Sequence, residues 1–419
     1  MTVATPAPPA QLTLTEVFRM PAVRRLWVAQ VVSVFGDFLA LFAVLSHVSF
    51  HLHATPAQVT GISISFMLPF AVVGPLAGVF VDRWNVKRTM ISSDLLRAAI
   101  VIALVFADGL WAIYGLLFLM STVSAFFVPA QSVTVRTLVP AHGLVATNAL
   151  MQQAMQFARI LSPAIAGALV AAVGPASCYF LDAGSYFVSA GLILTLTIVR
   201  EPARPAPGSH PVRAVLDDLG TGIRFIFTHP LLTFVIVAMA CGMFAVSCFG
   251  PLIAVYVRDI LHSSEVVFGV VNAMIGVGMI GGSLVAARLA QQLPKSGAKG
   301  QIVVVGLLIM GCAVAFVAAI PAIWATAVGL FGLGVGVVFV FVSASAMVQG
   351  LTPIALVGRV SSSLWAVLSL AQLAGLVLSA SSAAKIGIVN LFYASAAMLG
   401  VMSLLGLVAQ PKGEAHDAG

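Results

Sequence analysis

Charge is what this sequence has least of. Asp, Glu, Lys and Arg make up 8% of its 419 residues, and none of the four occurs between Lys299 and Arg359. Ordinary soluble domains carry about 25% charged residues. With 61% hydrophobic residues and a mean hydropathy of +1.11, a soluble fold would need more core than its surface could cover. Cysteine is scarce too. Cys178, Cys241, Cys248 and Cys312 lie in or beside apolar runs without paired spacing or a histidine at ligand distance. They read as small buried hydrophobes, which excludes a disulfide framework and a metal site. The chain has no HExxH sequence, no Walker loop and no serine with a lysine or histidine at matched depth, so it is expected to be neither an enzyme nor an ATP-driven pump, and to need no cofactor. Its first 25 residues hold no short apolar stretch followed by a small-residue cleavage site, so no cleaved signal is expected.

What the chain does have is apolar runs. A spanning helix needs roughly 20 apolar residues, and the runs fall near 26–50, 59–81, 89–107, 110–135, 145–172, 176–198, 231–257, 265–287, 301–320, 323–349, 360–383 and 387–409. Pro321 divides the uncharged stretch into two runs, bringing the number to twelve. Threaded back and forth twelve times, the chain puts sixteen of its twenty Lys and Arg residues on one side. Arg258 and Lys385 fall on the other side, and Arg97 and Arg159 lie inside runs. Cytoplasmic loops retain positive charge, so both termini are expected in the cytoplasm of a multi-pass protein of the cell (inner) membrane. The net charge of +7 belongs to loops facing anionic lipid, and no nucleic-acid partner is expected.

The one long polar segment begins at Arg200 and is rich in proline. After it Val212, Val215, Leu216, Leu219, Ile223, Ile226 and Phe227 recur at helical spacing, with Arg213, Asp217, Asp218 and Arg224 elsewhere on the wheel. That pattern predicts an amphipathic helix, lying on the cytoplasmic membrane surface or serving as a linker. The organisation expected is a cytoplasmic segment 1–25, a six-helix half 26–198, a linker 199–230, a second half 231–409 and a tail 410–419. Thr55 to Gly61 and then Gly74 repeat in spacing as Ser263 to Gly269 and then Gly282, an offset of 208, while Pro140 and Pro353 differ by 213. Parallel six-helix repeats are a transporter design, with the substrate site between the halves.

The second run ends in Gly78, Asp82, Arg83, Asn85, Lys87 and Arg88. This resembles the loop motif between the second and third helices of the major facilitator superfamily, with Asn85 in place of its second glycine. Gly78 would allow close helix approach, Asp82 would meet a helix N-terminus or an arginine, and the basic residues would hold the turn. Asn tolerates the left-handed conformation that the missing glycine implies. Phe35-Gly36-Asp37, Val128-Pro129-Ala130-Gln131 and Arg159-Ile160-Leu161-Ser162-Pro163-Ala164-Ile165-Ala166-Gly167 are similar to the branch holding enterobactin and macrolide exporters. The last stretch is similar to that superfamily's antiporter motif, with Pro163 and Gly167 retained. The resemblance implies an all-α membrane protein of twelve transmembrane helices in two pseudo-symmetric halves, the major facilitator fold, and proton-driven export.

Ionisable residues at bilayer depth are functional candidates. Asp37 and Arg159 both fall near mid-depth of their runs and are expected to face each other, either as a proton carrier with its counter-ion or as a static pair. Asn148, Gln152, Gln156 and Arg159 share one face of the fifth helix, and Gln156 and Arg159 are assigned to a central cavity. Asp94 and Arg97, one turn apart, are expected to pair with each other, with Arg136 or with the loop motif, as scaffold of a cytoplasmic gate. Asp182 is assigned to the outer interface. His47, His51 and His53 read as solvated interface histidines, no carboxylate being near in sequence.

The C-terminal half offers Phe249, Trp365 and many phenylalanines, a wall suited to an amphipathic or lipophilic substrate of drug or siderophore type rather than a sugar. The expected partners are that small molecule, protons and membrane lipids, in a monomer. A lysophospholipid transporter of the same superfamily, sharing a Phe-Gly-Asp first helix, and a non-transporting membrane receptor are the alternatives.

Overall fold

A computed structural model describes residues 12–198, 211–292, 298–353 and 356–409. Among them the chain is helical, with no strand. The helices are α1 Leu14–Arg19, α2 Pro21–Ser46, α3 Pro56–Val81, α4 Val86–Leu104, α5 Leu110–Leu138, α6 Leu144–Val173, α7 Pro175–Leu194, α8 Pro211–Thr228, α9 Pro230–Phe249, α10 Leu252–Asp259, α11 Glu265–Gln292, α12 Ala298–Ala319, α13 Ile323–Leu351, α14 Val357–Ile386 and α15 Ile388–Ala409. Among the described residues, ten segments are long and apolar enough to cross a membrane: α2 with the π-helical turn after it, α3, α5, α7, α9 with α10, and α11 to α15. α4, which carries Lys87, Arg88, Asp94 and Arg97, packs in the same bundle against α5 and α7, and α6 packs against α2 and α11. We call the end at which α2 begins the termini end and the opposite one the far end.

Local chemistry explains the helix starts. Pro21, Pro56, Pro175 and Pro230 each occupy a first helical position, where a fixed φ is suitable and a missing N–H costs nothing. Thr55 and Gln58 close a capping box ahead of α3. The first spanning helix therefore begins at Pro21, so the expected segment 1–25 ends in helix. The seventh run breaks into α9 and α10 at Gly250-Pro251, since Pro251 has no N–H to continue the ladder. α7 stops at Leu194 rather than 198. Lys87 Nζ caps it by donating to the carbonyls of Leu194 at 2.7 Å and Leu196 at 2.8 Å, and Arg25 donates to that of Thr195 at 3.2 Å.

The starts also recur. α9 and α11 begin 209 residues after α2 and α3, and α13, α14 and α15 begin 213 residues after α5, α6 and α7. Unusual backbone recurs with them. Gly174 and Gly387, at φ 88° and 82°, occupy a region essentially closed to residues with a Cβ, and they join α6 to α7 and α14 to α15. His53 and His262, at φ 46° and 47°, precede α3 and α11. The offset at those two helices is 209, one residue from the 208 read off the glycines.

Linker helix α8 lies against the start of α14. Gly222 faces Arg359 and Ser363 so closely that a Cβ would collide, and Ser363 Oγ donates to the Leu219 carbonyl at 3.0 Å. Ile226 is buried and Phe227 is exposed.

Candidate functional site: a sealed acid and arginine cluster

On α7, Ser185 and Tyr186 lie three and four residues after Asp182 and four and three before Ser189, which places the four on one side of the helix. All four are buried, in a helix whose other faces are apolar. α4 sends Asp94 and Arg97 toward the same region, at 0% and 3% exposure. Arg97 Nη2 donates to Asp94 Oδ1 across one helical turn. The Arg97 guanidinium is clamped between the rings of Phe127 on α5 and Tyr186, each 4.4 Å from its carbon. Cation–π contact of this kind strengthens when water is absent.

The third wall is α2. A Cβ at Gly36 would strike Asp182 Oδ1 and the Ser185 hydroxyl, so the missing side chain is what lets α2 lie on α7 here. The approach delivers the next residue, partly exposed Asp37, to the Tyr186 hydroxyl, which donates to Asp37 Oδ1. Ser185 Oγ donates to Asp182 Oδ1 at 3.2 Å. Asp182 Oδ2, Asp94 Oδ2, Arg97 Nε and the Ser189 hydroxyl are sealed without a hydrogen-bond partner among the described residues. Among the described side chains, three carboxyls thus share one cation, Arg97, which attracts Asp37 and Asp182.

Several sequence expectations move. Asp182 is fully buried within the bundle and not interfacial, because α7 begins at Pro175 and carries it two turns inward. Asp94 and Arg97 do pair, but their neighbours are Tyr186 and Asp37. Arg136 is exposed at the end of α5, outside the cluster; Asp82 and Arg83 lie exposed ahead of α4, and Arg88 is exposed in its first turn. Asp37 meets Tyr186; the side chains of Arg159, Gln156 and Pro163 lie outside the described ones. Asn85 is not left-handed. At φ −73° and ψ 105° it is the N-cap of α4, its Oδ1 accepting from the Arg88 N–H at 3.0 Å. Among the described residues, a Cβ at Gly78 would meet no atom within 4 Å. Tyr186 escaped the sequence reading, although its position one turn after Asp182 was a usable signal.

A second set of contacts joins α2–α7 to α9–α15 at the far end. Ser46 Oγ donates to Glu265 Oε2 at 2.8 Å, and His51 Nε2 lies 3.4 Å from the same oxygen. His51 therefore has a carboxylate neighbour after all, supplied by the fold from distant sequence. Phe42 stacks on Phe268 at 4.6 Å, Arg258 donates to the carbonyls of Ser49 and Ala54, and buried Thr60 and Ser379 meet at 3.4 Å. Gly167 sits on Gly269, where a Cβ would come within 2.7 Å of its Cα. Toward the termini end, α6 exposes Val145, Asn148, Gln152 and Gln153.

A bundle of membrane-length helices enclosing a charged cluster has the architecture of a membrane transporter. The Major Facilitator Superfamily family model matches residues 26–375 and 235–418, and the chain belongs to that superfamily. It is 25% identical over 391 residues to the uncharacterized MFS-type transporter YfiS of Bacillus subtilis (strain 168), covering 93% of each chain. It is 23% identical to macrolide efflux protein A of Streptococcus pyogenes, over 89% of this chain and 92% of that one. Multi-drug resistance efflux pump PmrA of Streptococcus pneumoniae is 24% identical over 83% of this chain and 85% of the pump. Among solved structures, a POT family transporter in complex with 5-aminolevulinic acid superposes with a TM-score of 0.74 at 13% identity, covering 93% of this chain and 96% of that one. A mutant of the nucleoside transporter NupG gives 0.73 at 13% identity, over 93% and 99%. At such identities these structures speak for the fold alone.

Proposed function

We propose that the chain is a secondary exporter that exchanges protons for an amphipathic or lipophilic small molecule, by alternating access of two six-helix halves. The observation that carries this reading is Asp37. It is a carboxyl at mid-helix, partly exposed, which accepts from the Tyr186 hydroxyl and lies within the field of the Arg97 guanidinium. Such a group can bind and release a proton as its access to water alternates.

The recurring helix starts at offsets of 209 and 213 support the two halves, 26–198 and 231–409, with 199–230 as linker. α4 and α6 complete twelve spans in this reading. The distribution of basic residues supports cytoplasmic termini in the cell membrane. The printed functions of the efflux relatives support export. The far-end contacts, beside exposed polar residues of α6 at the other end, support one arm of an alternating cycle. Gly78, Asp82, Arg83, Lys87, Arg88 and Arg136 would form the cytoplasmic gate, and Pro163 and Gly167 the flexible contact of the halves. The working unit is a monomer among lipids.

The test is reconstitution into sealed liposomes with an internal pH dye, adding macrolides, lipophilic drugs, siderophores and lysophospholipids in turn. Substrate-dependent proton movement, lost in Asp37→Asn with the fold intact, is the expected result. Transport of a ligand without proton flux, or an unchanged Asp37→Asn, would overturn the coupling; lysophospholipid movement alone would make the chain a lipid transporter.

A further inference from the structure

We infer that His51 and Glu265 form a pH-operated latch between the two groups of helices at the far end, held shut when His51 carries a proton and weakened when it is neutral. The inference rests on the alternating-access reading, since a latch needs an open state to oppose, and it adds a regulator to that reading.

The latch is built across the seam. Glu265 is the first residue of α11, where a helix N-terminus favours negative charge. Its Oε2 accepts from Ser46 Oγ at 2.8 Å and lies 3.4 Å from His51 Nε2, so two residues of the α2 side converge on one oxygen of the α11 side. His51 ends the π-helical turn His47–His51, a form frequent at functional sites. One turn further along α11, Phe268 stacks on Phe42 and Gly269 receives Gly167. The carboxylate therefore sits at the far-end edge of the packed seam, where opening of that end would part it from His51.

What makes the contact a switch is its cation. Among the described residues, no Lys or Arg lies within ion-pair distance of Glu265. Arg258 on α10 is engaged elsewhere: Nε and Nη2 donate to Asp259 at 2.6 and 2.8 Å, and Nη1 donates to the carbonyls of Ser49 and Ala54. α6 passes Glu265 at Gly167, and its sequence holds no ionisable residue from Ile160 to Val173. α13, which also packs on α11, carries none along its length. His47 lies one turn before His51 with ring centroids 5.4 Å apart; it borders a cavity shared with Asp108 and Tyr179, and its Nδ1 is sealed without a partner among the described residues. His53 and His262 are exposed in the turns ahead of α3 and α11. The group that can place a positive charge beside Glu265 is thus a histidine, whose charge changes between pH 5 and 8. Half of the His51 side chain is open to solvent, so protons reach it directly.

A protonated His51 attracts the carboxylate across the seam, whereas a neutral one leaves the Ser46 hydroxyl to hold it. Solvent-accessible ion pairs contribute modestly, so the ratio of closed to open far end should change by about two- to fivefold. With the far end facing outward, as the basic residues support, the latch reads the pH outside the cell: acid holds it shut and alkali releases it.

The measurement is pulsed EPR on the purified full chain in lipid nanodiscs at pH 8 and pH 5, the limits of histidine titration. Spin labels are placed by Gly109→Cys and Ala322→Cys, at the N-caps of α5 and α13 on the two sides of the seam, in a background freed of native cysteines. The expected result is a long-distance fraction about two- to fivefold smaller at the lower pH. That response should vanish in His51→Gln and in Glu265→Gln, and persist when His47, His53 and His262 are all replaced by Gln. His51→Arg, whose charge does not titrate, should hold the short-distance population at both pH values. A response that survives His51→Gln, or a His51→Arg protein no more closed at pH 8 than His51→Gln, would overturn the latch. So would a wild type that ignores pH while substrate or Gly167→Ala still moves the labels, an outcome that leaves alternating access in place. Labels fixed at one short distance under every condition would overturn both readings, which separates the two failures.

Discussion

Tyr186 on α7 donates its phenolic hydrogen to the carboxylate of Asp37 on α2, across 149 residues of sequence. The same ring covers one face of the Arg97 guanidinium. One side chain therefore connects the partly exposed acid to the sealed pair on α4, and a change at Asp37 is felt by α4 and α7 together. This is a packing relationship within one group of helices, distinct from the far-end contacts between groups.

Breaking the α4 pair should be costly. Arg97→Gln leaves Asp94 sealed with no cation, and removing one partner of a buried pair costs about 3–5 kcal/mol. Melting of the detergent-purified protein is expected to drop sharply in Arg97→Gln and to recover at least half the loss in the Asp94→Asn, Arg97→Gln double variant. A double variant as unstable as the two singles combined would mean that the residues act independently.

Gly167→Ala should loosen the far end. Its new methyl would come within 2.7 Å of the Gly269 Cα, a backbone atom that cannot step aside alone. Overpacking costs about 1–3 kcal/mol, equivalent to a population shift of about 5- to 150-fold. Spin labels introduced by His53→Cys and His262→Cys, in a background freed of native cysteines, would report a larger population of long distances by pulsed EPR. Glu265→Gln should act in the same direction more weakly, since the amide oxygen still accepts from Ser46 while the charge facing His51 is gone. An unchanged distance distribution in Gly167→Ala would show that the glycine contact does not govern closure.

The start of α1 should respond to acid. Thr13 donates its backbone N–H and its hydroxyl to Glu16, and these bonds hold the carboxyl below its usual range. A folded value below the unfolded one contributes stability that is complete above the ordinary glutamate range and disappears as pH falls through the lowered value. Amide exchange over Leu14–Arg19 should therefore lose protection as pH drops below about 4.5, the unperturbed value. Glu16→Gln, still able to complete the capping box, should show no such step after correction for intrinsic exchange.

Apolar runs and the placement of basic residues were legible in the chain, because the bilayer demands about 20 apolar residues per crossing and retains positive charge on one side. Those demands are met residue by residue, so the runs could be read without a partner, although the helices start at Pro21, Pro56 and Pro230, ahead of the runs near 26, 59 and 231. The loop motif was legible as residues, but the role of Asn85 depended on whether a tight turn or a helix start lies there, which is a matter of the following turn of α4. Asp37, Asp94, Arg97 and Asp182 were each visible as charges at depth; their grouping was not. It depends on which helix approaches which, and that was decided by Gly36 admitting α7, by Tyr186 lying one turn from Asp182, and by Phe127 closing over Arg97. Glu265 and His51 likewise met only because the π-helical turn after α2 lies beside the start of α11. A sequence by itself determines how many residues of a helix can bear lipid, whereas the partner of a buried charge is set by contact across helices, and only tertiary structure decides those contacts.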